Sequence, residues 1–171
     1  VPKNTPTIVN TSFIGHALLD LYALNRDEKI LDIVYSSCNF ILKDLNRFED
    51  DKHICFSYTP IDRLKVHNAS ILGAGLIARY SKLKCEDKFD NFILKSFNYL
   101  SDYQRSDGSW YYAETDYQSW IDSFHTAFNL ASLQEIHSHF RDNEKVDKTI
   151  KSGQSFYLNN FFGIEGESKY Y

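Results

Sequence analysis

An aspartate and a histidine three residues apart, set behind a run of aromatic rings, are the residues of this chain best suited to proton transfer. They are Asp122 and His125, inside the stretch DGSWYYAETDYQSWIDSFHTAFNLASL that runs from Asp107 to Leu133. On a helix this spacing turns both side chains the same way, and burial or mutual charge tunes either group toward neutral pH. Asp122 would then serve as general acid or base, and His125 as proton shuttle or substrate ligand. The alternative is structural: Asp122 is the N-cap of the helix that follows, and His125 bonds a neighbouring backbone group. Trp120 and the aromatic loop upstream weigh toward chemistry.

That loop supplies rings for binding. Trp110, Tyr111, Tyr112 and Tyr117 suit a platform for a sugar, whose C–H face packs on an aromatic face while tyrosine hydroxyls bond its edges. Asp107, Glu114 and Asp116 surround the rings with polar groups that a plug of buried aromatics would not need. His67 and Asn68, preceded by Arg63 and Lys65, hold the matching place one repeat earlier, and Tyr58 matches Tyr112. If the repeats converge on one cavity, His67, Asn68 and Asn10 face Asp122 across it; taken singly, each is a cap or a solvated side chain. His16 lies within a helix and is expected to be packed.

Other chemistries find little support. His137 and His139 point to different sides of a helix, and no metal-ligand spacing occurs, so no metal is expected. Gly73-Ala74-Gly75 falls within a helix rather than between strand and helix, which argues against a nucleotide cradle. Neither a G-x-S-x-G elbow nor a D-x-D-D or D-D-x-x-D run is present. No cofactor is expected. The net charge of −4, with basic residues scattered, argues against nucleic acid as a partner. Three widely spaced cysteines, Cys38, Cys55 and Cys85, read as buried free thiols in a reducing compartment. No apolar run approaches a membrane span and no leader pattern opens the chain, so the expected location is cytoplasmic.

The elements that must position these residues are helical. Val1–Asn10 reads as extended, and a first helix follows from Thr11 or Ser12, with Ser12 as its N-cap. Further helices are expected over 27–45, 67–83, 86–104, 119–139 and 143–160, with an extended piece over 53–59 and a turn at Asp107-Gly108. Gly73 and Gly75 allow close packing in the third helix. FIGHALLDLY from Phe13, ILGAGLIARY from Ile71 and FHTAFNLASL from Phe124 fall in register, each preceded by a serine: Ser12, Ser70 and Ser123. Their starts differ by 58 and 53 residues, a period of about 55. Phe56-Ser57-Tyr58 and Trp110-Tyr111-Tyr112 recur after the second and fourth helices.

A helical hairpin repeated three times with an aromatic loop after each predicts an all-α fold: an α/α toroid or solenoid in a single unit, residues 1–171. Three hairpins make about half of a six-hairpin ring. The absence of methionine and the start at Val1-Pro2 fit a piece of a longer domain, and the open edge of half a ring is suited to self-association.

WIDSFHTAFNL from Trp120, DGSWYY from Asp107, TPTIVNTSF from Thr5 and NNFFGIEGESKYY from Asn159 together resemble the VpsJ-like polysaccharide biosynthesis proteins of bacteria. The resemblance covers nearly the whole chain and maps onto the first half or so of a typical member. It implies an α/α toroid encoded with capsule or exopolysaccharide machinery, and a polysaccharide or oligosaccharide partner. The wider fold group includes glycoside hydrolases, polysaccharide lyases and sugar epimerases. The resulting expectation is a sugar-active enzyme using Asp122 and His125, with Trp110, Tyr112, Trp120, His67, Asn68, Asp107 and Tyr58 contacting the sugar. The rival is a non-catalytic module that binds glycan or scaffolds the assembly machinery with the same rings.

Overall fold

Six segments with apolar residues at helical spacing, each closed by a cap or turn, fold as helices in a computed structural model of residues 1–171. They are α1 (Ile8–Asn25), α2 (Glu28–Lys43), α3 (His67–Lys84), α4 (Asp90–Asp102), α5 (Ser123–His139) and α6 (Glu144–Phe161). Two short strands, β1 (Arg47–Glu49) and β2 (Ile54–Phe56), form an antiparallel pair between α2 and α3, with Phe48 opposite Cys55. A 3₁₀ turn at Asp116–Gln118 precedes α5. No helix is long and apolar enough to cross a membrane.

The caps explain where expectation and structure part. α1 starts at Ile8 rather than at Thr11 or Ser12, because Thr7 accepts a bond from the Asn10 amide at 3.1 Å and is the N-cap. Ser12 lies one turn inside and donates to the Ile8 carbonyl at 2.7 Å. α4 begins four residues later than expected, and α5 begins at Ser123 because Asp122 is its N-cap. The stretch after α2, before the extended piece expected over 53–59, contributes β1.

The helices sort into two rows. Each odd helix forms a hairpin with the even one after it, and α3 packs between α1 and α5. Fourteen of the 18 residues of α3 are buried, so it is the centre of the structure. Small residues permit that arrangement. The Cβ position at Gly15 lies within 2.6 Å of a Leu76 methyl, and that at Gly75 is 3.2 Å from the Ser132 Cα. α1 and α5 therefore approach α3 closely on both sides. Leu76, Ile77, Ile93, Leu133 and Ile136 belong to one continuous core that includes Trp110.

The repeat is visible in the backbone. The first amide of each odd helix donates to the carbonyl of a tyrosine in the segment that ends its own hairpin: Ile8 to Tyr58 at 3.0 Å, His67 to Tyr112 at 3.0 Å and Ser123 to Tyr170 at 2.9 Å. Each bond satisfies an otherwise orphaned helix-terminal amide and folds the loop back over the helix start. This anchor puts the repeats at 8, 67 and 123, spaced by 59 and 56 residues, and corrects the register of the third. FHTAFNLASL begins one residue into α5, whereas its counterparts begin five and four residues into α1 and α3. A slip of three or four residues is about one helical turn and leaves the apolar stripe in place, so side-chain pattern alone does not register it. By this anchor Thr126, not Ser123, is the counterpart of Ser70, each standing three residues past the anchored amide; the Thr126 hydroxyl donates to the Asp122 carbonyl at 2.7 Å.

Candidate functional site

The segment from Ser119 to Asp122 runs extended beside Trp110–Ala113, with the Tyr112 amide donating to the Trp120 carbonyl at 2.9 Å. That pairing lays the Trp120 ring flat on Tyr112, with centroids 4.5 Å apart and planes 12° apart. α5 then starts, and its cap delivers the pair. One oxygen of Asp122 accepts from the His125 amide at 2.8 Å. The other accepts from the Trp120 indole N–H at 2.9 Å and lies 2.6 Å from His125 Nδ1. Because a carboxylate only accepts, Nδ1 carries a hydrogen, and in the neutral imidazole Nε2, which has no protein partner, is the nitrogen with the lone pair.

This geometry divides the roles. Asp122 is 1 % exposed and both its oxygens are engaged, so it is a positioning residue and not the general acid or base expected from the sequence. Of the two side chains, that of His125 remains partly open to solvent and is the one a ligand can reach. Asp122 is also the helix cap.

Around His125 the rings form a continuous chain. Tyr112 meets it edge-on at 4.6 Å and Phe124 at 5.6 Å; Phe124 contacts Phe128 at 4.4 Å, and Phe128 contacts Phe13 of α1 at 5.0 Å. Trp120 is 38 % exposed and Phe124 54 %, so the chain lies open at its edge. Burial pushes the Tyr112 hydroxyl above its usual range, with Tyr58 and Asp122 adding to the effect. The charge of Asp122 also pushes up the Tyr170 hydroxyl. Tyr58, Tyr112 and Tyr170 thus converge at the starts of the three odd helices. Neither a scan of family models nor a search of curated proteins finds a match to this chain.

Several residues expected here lie elsewhere. Trp110 is 2 % exposed; its indole donates to the Leu100 carbonyl at 2.9 Å and its ring rests on Gly153, so it is a core plug and not a platform. Phe56, its counterpart, is buried in the same way. Asp107 accepts from the Ser109 amide and hydroxyl at 3.0 and 2.6 Å and closes the turn. His67 is buried against Tyr111, Glu114, Tyr99 and Tyr103, and does not face Asp122. Asn68 is buried within α3 with its carbonyl oxygen unpartnered, while Asn10 is exposed on α1. His137 and His139 pair with Asp147 and Asp90 on opposite sides of α5.

Tyr170 and the Phe13–Phe128–Phe124 run were not foreseen. The first had a signal: Ser168-Lys169-Tyr170 follows α6 as Phe56-Ser57-Tyr58 follows α2, but without the buried ring that makes the other two loops conspicuous.

Proposed function

We propose that the chain is a sugar-active part of bacterial capsule or exopolysaccharide synthesis in which His125 moves a proton at carbon. The observation behind this reading is the Nδ1 bond of His125 to a buried carboxylate, which leaves Nε2 unpartnered beside an aromatic surface. A carboxylate behind a histidine fixes the tautomer and stabilises the imidazolium that forms when Nε2 takes a proton. Glycoside hydrolysis ordinarily draws on two carboxylates free to reach the glycosidic bond. Asp122 has no oxygen to spare, so the arrangement favours lyase- or epimerase-type abstraction over hydrolysis. The Tyr112 hydroxyl, protonated at neutral pH as tyrosine ordinarily is, is placed beside His125 to return a proton to the leaving oxygen or the opposite face. The sugar rests on the open side of Trp120. The resemblance to VpsJ-like proteins supplies the polysaccharide context, and the three anchored hairpins are read as half of a six-hairpin toroid.

A non-catalytic glycan-binding module is the second reading, favoured by the exposed rings Trp120 and Phe124, which grip a sugar without chemistry. Two variants separate the readings. In an enzyme, His125→Gln abolishes turnover and leaves glycan affinity within a few-fold. Trp120→Ala weakens binding about tenfold, by comparison with base–aromatic stacking of about 1–3 kcal/mol. A polysaccharide that binds equally well to the wild type and His125→Gln and is altered by neither would establish the module instead.

A further inference from the structure

Behind the 111–119 loop lies a cavity of about 480 Å³ that the proton-transfer site does not use. Its lining includes His67, Asp102, Tyr103, Arg105, Glu114 and Asp116. His67 is 3 % exposed, and its Nδ1 lies 2.8 Å from the Tyr111 carbonyl, which can only accept. Nδ1 therefore carries a hydrogen, and in the neutral imidazole Nε2 is an acceptor. That Nε2 is buried without a hydrogen-bond partner, and so is Glu114 Oε1, 3.8 Å away. Two buried acceptors facing each other without a donor are costly, and each asks for a hydrogen from something between them.

We propose that this cavity binds a primary ammonium group. An ammonium carries three N–H donors and a positive charge, so one nitrogen serves both acceptors and balances Glu114, which a single hydroxyl cannot do. The rest of the lining agrees. Asp102 is already paired with Lys145 at 2.8 Å and His53 at 3.0 Å, which leaves two carboxylates, Glu114 and Asp116, against one guanidinium, that of Arg105. Arg105 is turned away from the acceptors: it lies over the Tyr111 ring at 4.5 Å, bonds the Tyr111 hydroxyl and approaches Asp107 at 3.8 Å. Lys65 reaches only the other oxygen of Glu114, at 3.4 Å, and spends its charge on the Phe48 ring. The Tyr103 ring, 5.2 Å from that of His67, gives the ammonium an aromatic neighbour. An amino sugar and a polyamine both present this group.

The test is ¹⁵N-detected NMR of the His67 imidazole together with calorimetry, using glucosamine, putrescine, N-acetylglucosamine and glucose as probes. Glucosamine or putrescine is expected to shift the Nε2 resonance and bind, whereas N-acetylglucosamine and glucose, which lack the ammonium, do neither. Glutamate replacement by Glu114→Gln, with folding checked by circular dichroism, is expected to weaken binding at least tenfold; Tyr103→Leu, at a partly exposed ring, weakens it several-fold. A preference for glucosamine identifies an amino sugar and a preference for putrescine a polyamine. If no amine moves the His67 signal at millimolar concentration, or if the neutral sugars move it equally, the gap holds only water and the proposal fails.

Discussion

With one oxygen on the His125 amide and the other shared between His125 Nδ1 and the Trp120 indole, the Asp122 carboxylate both starts α5 and sets the histidine tautomer. Asp122→Asn separates these functions. The amide oxygen can still cap the helix, but its NH₂ group faces two N–H donors, and His125 must rotate or change tautomer. Turnover is expected to fall by about 10²–10⁴-fold, in line with the loss when the aspartate behind a catalytic histidine becomes asparagine. The conflict of donors costs about 2 kcal/mol of stability, measurable by urea unfolding. Normal turnover with the Nδ1-protonated tautomer lost would remove the dyad from the mechanism. Cys38 and Cys55 take no part at this scale, since burial pushes both thiols up to about 12.

At the scale of elements, the even-numbered helices are held by contacts as specific as those of the odd-numbered ones. The Trp110 ring lies where a Cβ at Gly153 of α6 would stand 2.5 Å from it, and its indole bond to Leu100 keeps it from moving aside. Gly153→Ala should therefore destabilise the protein by about 1–3 kcal/mol despite alanine's better helix propensity, read as a lower midpoint in chemical unfolding. A stabilised variant would show that Trp110 has room to shift. Helix number, order and the close packing at Gly75 were legible in the sequence because apolar spacing and glycine position report burial directly. The cap at Thr7, the strand at Arg47–Glu49 and the third repeat's register were not. Each depends on a hydrogen bond to a distant or turned-back group, which a period of apolar residues does not encode. The same holds within the site: Asp122, His125, Trp120 and Tyr112 could be named from spacing, but the burial of Trp110 and the seclusion of His67 follow from which face of the loop the chain folds over.

For the whole molecule, two histidines give opposite responses to pH. His16 is pushed down to about 4 by burial and by Arg79, whose guanidinium lies 3.4 Å from its Nδ1. Below its ordinary value near 6.5 the unfolded chain takes the proton first, so stability contributed by neutral His16 is lost as pH falls toward 4. The displacement corresponds to about 3 kcal/mol. His53 is held above its usual value by Asp102 and Asp50; its contribution is present below pH 6.5 and fades as pH rises through the raised value. It is more open to solvent, and salt screens it. Of these two, His16 therefore carries the fall in stability between pH 6.5 and 4. His16→Gln should flatten the fall in thermal midpoint between pH 6.5 and 4, and an unchanged acid slope in that variant would contradict the assignment. The proton-transfer proposal rests instead on the start of α5. It is tested most directly by proton NMR in D₂O of the protein, and of its His125→Gln variant, with uronate-containing and neutral bacterial exopolysaccharides. Deuterium uptake at a sugar carbon, or vinylic product signals, in the wild type alone is the predicted result. Line broadening of a polysaccharide by both proteins, with every carbon-bound proton retained, would contradict it.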